Sequence, residues 1–153
     1  MKKIIKIFMC LGFIILLSGC QDKLMLSVKD YKKIMTDNGF EITNTKENQI
    51  LIQENLKERY SASKKVNNSQ ITVRYSIYSD IETRDNLFNL YCIKKLSTEY
   101  KENYMCHSQQ LLSGKQYVFA SGKSLLEINY KNDEDLNYVK DLIEQLGYSE
   151  YIK

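Results

Sequence analysis

Beyond residue 20, few side chains carry reactive chemistry of their own, and each must be tested on its spacing. Cys106-His107 sets a thiol beside the only imidazole of the chain. Neighbours along a strand point to opposite faces, so this pair does not share a proton as a nucleophile and its base must. One histidine and two cysteines fall short of the four ligands of a structural zinc site, and no metal or cofactor is assigned. Ser61-x-x-Lys64 has the spacing of a serine–lysine nucleophile pair. The Ser-Asp-Asn and Lys-Thr-Gly segments that complete such a site do not occur in the sequence. There is no phosphate-binding loop, zinc-protease helix or nucleophile elbow. The 19 acidic residues single out no carboxylate pair. No residue is assigned a catalytic role.

Cys92 and Cys106 are a candidate disulfide, an even pair if the chain is exported. A helix running on from Cys92 to Tyr100 rises about 12 Å, and three residues of returning strand before Cys106 span about 10 Å. The two sulfurs then reach similar heights, and closing the loop would stabilise by about 3 kcal/mol in the chain-entropy account. The alternative is two separate buried thiols. A second candidate is a surface. Ile71, Val73, Tyr75 and Ile77 alternate with Thr72, Arg74, Ser76 and Tyr78, and Leu126, Ile128 and Tyr130 alternate with Glu127 and Asn129. With the apolar set inward, Arg74, Tyr78, Glu127 and Asn129 form a polar and aromatic sheet face able to meet a partner.

The elements that would position these residues follow from periodicity. Ser27 and Asp30 suggest a helix start, Val28, Tyr31, Ile34 and Met35 share one face, and Asn38-Gly39 stops the helix. Phe40 to Thr43 reads as a strand. Ile52 and Leu56 have helical spacing, so a helix is expected within Asn44 to Arg59. Tyr60 to Val66 reads as a strand turning at Asn67-Asn68, followed by the alternating strand described above. Ser79-Asp80-Ile81-Glu82 opens a helix expected to reach about Tyr100, and its broad apolar stripe predicts the most buried helix of the chain. Strands near 104–111, 116–121 and 124–130, with turns at Ser113-Gly114-Lys115 and Ser121-Gly122-Lys123, predict an antiparallel meander. Asn132 caps a last helix whose apolar positions Leu136, Val139, Ile143 and Leu146 end at Gly147. The expected class is α+β, one antiparallel sheet with helices packed mainly on one face.

The start of the chain is of another kind. Lys2, Lys3 and Lys6 precede an eleven-residue apolar run, Ile7 to Leu17. As a helix it is roughly 16 Å long, too short for a hydrocarbon core of about 30 Å, and it fits the core of an export signal. Leu17-Ser18-Gly19-Cys20 follows and resembles the lipobox of bacterial lipoproteins at all four positions. The resemblance implies diacylglyceryl on the Cys20 thiol, palmitate among its fatty chains, and cleavage between Gly19 and Cys20. It covers about twenty residues. The rest is similar in pattern to small uncharacterised lipoproteins of Gram-positive type, with Gly39-Phe40 after the first helix and Leu146 to Tyr148 closing the last. No functional residue carries over from that likeness.

The expected organisation is a signal peptide over 1–19, a lipidated cysteine and short tether over 20–26, and one domain over 27–153. Three of the 22 basic side chains lie before Cys20 and none of the 19 acidic ones, so the part from Cys20 onward carries 19 of each. A balanced domain gives no support for nucleic-acid binding. The expected function is a membrane-anchored extracytoplasmic module that binds an envelope protein or a small ligand, held by lipid on Cys20. The alternatives are a cell-envelope hydrolase with a dispersed carboxylate site, and an inhibitory or structural envelope lipoprotein.

Overall fold

The computed structural model describes residues 26–45, 55–91, 104–111 and 114–149, the segment 104–111 by its backbone alone. Helix α1 (Val28–Asp37) is followed by β1 (Glu41–Asn44), β2 (Leu56–Val66), β3 (Ser69–Tyr78), α2 (Ile81–Tyr91), β4 (Tyr104–Leu111), β5 (Gly114–Ser121), β6 (Ser124–Tyr130), a 3-10 turn (Asp133–Asp135) and α3 (Leu136–Gln145). The six strands form one sheet in the order β1-β2-β3-β6-β5-β4, every neighbouring pair antiparallel. The α+β expectation holds, and the predicted meander is β4-β5-β6.

Local chemistry explains most of the boundaries. Ser27 Oγ accepts a hydrogen bond from the Asp30 amide at 3.0 Å, capping α1. Both α1 and α3 end in the same way. Gly39 and Gly147 take positive φ of 73° and 85°, and the amides of Phe40 and Tyr148 reach back to the carbonyls of Met35 and Ile143. This is the Schellman closure, in which a left-handed residue lets the chain turn back on its helix. Each glycine is followed by a buried ring, Phe40 or Tyr148, that seals the helix end against the core. Asn67 and Asn68, both at positive φ, join Val66 to Ser69 in the two-residue turn whose twist suits a hairpin.

The main core lies between the sheet and the pair α1 and α3. Tyr31, Met35, Val139, Leu142 and Ile143 pack against Ile71, Val73, Tyr75, Phe119, Leu126 and Ile128. Tyr31 stacks on Tyr75 with ring centres 5.2 Å apart, and its hydroxyl donates to the Val73 carbonyl at 2.8 Å. Leu26 belongs to this core, and its carbonyl accepts from the Tyr75 hydroxyl. Two of the three described α-helices therefore share one face. The third, α2, covers the other, closing a smaller core of Tyr78, Phe88, Val118, Ala120 and Leu125.

Two expectations fail. Leu56 and Arg59 are strand residues of β2. Leu56 pairs with Tyr78 and Arg59 with Ser76, so cross-strand pairing overrides a helical spacing that rested on two residues. Ile52 lies outside the described residues. Helix α2 is also not deeply buried: only Arg84 and Phe88 are, while Leu90 is 67% exposed. Its cap is Asp80, whose Oδ1 accepts from the Thr83 amide at 2.7 Å. That bond holds the Asp80 carboxyl below the usual range. The expected continuation to Tyr100 lies outside the described residues.

Candidate functional site

The sheet face beneath α2 carries a concentration of buried polar side chains. Alternation along each strand puts them there. With Tyr60, Ala62, Val73, Tyr75, Leu126 and Ile128 committed to the main core, Arg59, Arg74, Ser76, Tyr78 and Glu127 must project the other way. The register then sets Arg59 opposite Ser76, and Arg74 opposite both Ser61 and Glu127. Arg59 is 2% exposed, and Ser76, Tyr78 and Glu127 are buried at 1% or less.

These groups hydrogen-bond in two sets, one around each arginine. The Arg59 guanidinium donates through Nε to Ser76 Oγ at 2.9 Å and through Nη2 to the Tyr78 hydroxyl at 3.2 Å. Arg74 Nη1 donates to Glu127 Oε2 at 2.9 Å, and Gln116 Nε2 approaches the same oxygen at 3.5 Å. The Arg74 side chain remains one-third exposed and is the part of the cluster that reaches water. Glu127 Oε1 is buried and has no hydrogen-bond partner among the described residues. Burial raises the Glu127 pKa, and the positive charges of Arg74 and Arg59 offset only part of that. The half-buried Tyr91 of α2 also has its pKa raised, first by burial and then by the Glu127 charge.

The raised Glu127 pKa has a consequence for stability. The folded state binds this proton more tightly than the unfolded chain does. The contribution is therefore fully present below the unfolded-state pKa and is lost as pH rises through the folded one. Glu127→Gln keeps an oxygen acceptor for Arg74 and removes the titration. The variant is expected to be as stable as the parent or more so at pH 8, with a flatter decline in urea midpoint between pH 5 and pH 8. An unchanged decline would show that Glu127 is not its source.

The structure thus gathers three of the four residues expected on the sheet face. Arg74 and Glu127 are paired, and Tyr78 joins through Arg59. Asn129 lies two residues along β6 from Glu127, opposite Thr72 and Gln116. The expectation of a sheet face able to meet a partner is corrected at Tyr78 and Glu127, which α2 and the neighbouring side chains bury. Ser61 and Lys64 do not meet. They are three residues apart on a strand, so Ser61 lies on the Arg74 side and Lys64 on the Ile71 side. Gly19, Cys20 and Cys92 lie outside the described residues. Cys106 and His107 are placed only as backbone of β4, so the expected disulfide also lies outside what is described. Arg59 and Arg84 were not anticipated as buried. A basic residue inside an alternating strand register is the sequence signal that marks Arg59.

A cleft of about 510 Å³ opens elsewhere, beside β2, lined by Gly39, Glu41, Ser63, Lys64, Lys65 and Gln70 among others. Its size falls within the range of ligand sites. Among the described residues, no group of three or more histidine, cysteine or acidic side chains is placed to hold a metal ion. Compared with protein-family models, curated proteins and solved structures, the chain matches none.

Proposed function

We propose that this chain is a membrane-anchored extracytoplasmic lipoprotein whose domain binds a partner or ligand and does not catalyse a reaction. The observation that carries the reading is the distance between the lipobox cysteine and the fold. Leu26 is already in the main core, and only five residues, Gln21 to Met25, separate it from Cys20. Fully extended they reach roughly 17 Å. Lipid on Cys20 would hold the domain directly at the membrane surface, which suits a partner that is itself membrane-bound.

The chemistry of the domain supports binding over catalysis. Among the described residues, the buried ionisable groups beneath α2 pair as Arg59 with Tyr78 and Arg74 with Glu127, and Arg74 is the one that reaches water. Among the described residues that line it, the cleft beside β2 carries one carboxylate, Glu41, where a hydrolase built on dispersed acids needs two. The anchor is tested by growing cells on labelled palmitate. The expected result is label on a chain that begins at Cys20, found in the membrane fraction and released by detergent but not by salt. An unlabelled chain in the soluble fraction would overturn the reading.

A further inference from the structure

Strand β2 is longer than the strand beside it. β1 pairs with it only from Tyr60 to Ser63, whereas β2 continues through Lys64, Lys65 and Val66. The Thr45 amide donates to the Arg59 carbonyl at 3.1 Å. In an antiparallel ladder such pairs recur every second residue, so Arg59, Ser61 and Ser63 turn their main-chain groups toward β1. Lys65 is next in that series. The register would bring Gly39 opposite it, but Gly39 has left the ladder. Its amide donates to the Thr36 carbonyl, and its φ of 73° turns the chain into α1. The cleft lies where Gly39 and Lys65 part, both of which line it, and ladder parity aims the N–H and C=O of Lys65 to that side of β2.

The side chains around this gap are asymmetric in charge. Lys65 projects to the α2 side of the sheet and is exposed. Lys64 projects to the other side, where its ammonium donates to the Asn38 carbonyl at 2.7 Å and the Tyr138 hydroxyl at 3.2 Å, 5.1 Å from the Tyr138 ring centre. A chain lying along this edge meets one cation on each of its faces. Glu41 stands at the β1 end of the cleft, opposite Ser63, and disfavours a second carboxylate there.

We infer that the cleft receives a short acidic peptide segment that pairs, as an added strand, with the open edge of β2 at Lys65. Main-chain hydrogen bonds to Lys65 supply register, and acidic side chains beside Lys65 and Lys64 supply selectivity. The site deepens the binding half of the proposed function and is independent of the lipid anchor. Loss of palmitate labelling would leave it standing, and its own failure would leave the anchor standing.

The test uses the full chain in detergent with a fluorescent Val-Glu-Glu-Val-Val peptide, whose adjacent acids fall on opposite faces of a strand, followed by anisotropy and by hydrogen exchange at the Lys65 amide. The acidic peptide is expected to bind and to slow exchange at Lys65, with Val-Gln-Gln-Val-Val weaker and Val-Lys-Lys-Val-Val weaker still. Lys65→Glu, at an exposed position, should level most of that order and weaken the acidic peptide about tenfold, since it turns one of two attractions into a repulsion. Methylating alternate peptide nitrogens should abolish binding. Three outcomes would overturn the inference. One is equal binding of all three peptides. Another is retained affinity after N-methylation. The third is displacement by inorganic phosphate with no protection at Lys65, which would mark a free-anion site.

Discussion

Replacing Cys20 by serine is expected to abolish palmitate incorporation completely and to leave the domain as stable as before. The hydroxyl is a far weaker nucleophile than the thiolate and cannot form the thioether that a diacylglyceryl anchor requires. Each buried methylene contributes about 0.8 kcal/mol, and one chain alone binds a membrane only marginally, so both acyl chains on one sulfur are needed for a firm hold. If Cys20 is also the residue at which the leader is cut, the variant keeps residues 1–19 and migrates more slowly than the parent. The domain should be indifferent to all of this, since Leu26, where the described residues begin, lies six positions beyond Cys20. Its thermal midpoint should move by less than about 4 °C, the effect of about 1 kcal/mol in a domain of this size. Label persisting on the serine variant would place the lipid on another residue. A large loss of stability would mean that the anchor segment is part of the fold.

The reach of the sequence was greatest where a feature is decided within a few residues. The ends of α1 and α3 are legible because Gly39-Phe40 and Gly147-Tyr148 each combine a left-handed turn with a sealing ring. The hairpin at Asn67-Asn68 is legible because its two residues adopt the required φ with little strain. Alternation in β3 and β6 assigns every side chain to the correct face. What alternation does not say is what lies above that face. Arg74, Tyr78 and Glu127 read as solvated because polar residues opposite an apolar face usually are. Whether a helix docks over them depends on Phe88 meeting Val118, Ala120 and Leu125, contacts between segments about thirty residues apart or more. Arg59 was harder still. Its segment reads as helix from Ile52 and Leu56, and the partners that make it a strand, Ser76 and Tyr78, lie 17 and 19 residues on. The open edge at Lys65 is likewise a product of register: it exists because β1 stops at Glu41, and no local pattern announces that.

Arg59→Ala should be the most damaging single change beneath α2, and its comparison with Arg59→Met separates packing from charge. Alanine leaves the Ser76 and Tyr78 hydroxyls without the guanidinium that donates to them, and opens a void between β2, β3 and the second core. Leaving buried hydroxyls unmet costs about 1–3 kcal/mol each, against a total stability of about 5–15 kcal/mol for a domain. Methionine fills much of the void without bringing a charge out of water, so a large part of the loss should be recovered near pH 5. It should not be recovered at pH 8. Arg59 is one of the two positive charges that oppose the rise in the Glu127 pKa. Without it that pKa rises further, and the stability lost on raising the pH grows. Adding Glu127→Gln to Arg59→Met removes the titrating group, so the double variant should regain at pH 8 what the single one lacks, by more than the separate effects add up to. Urea midpoints of the parent, the three single variants and the double variant at both pH values test this. If methionine is as damaging as alanine at pH 5, the hydrogen bonds to Ser76 and Tyr78 outweigh packing. If the double variant is merely additive at pH 8, Arg59 and Glu127 are not electrostatically coupled, and the polar layer beneath α2 is two separate pairs.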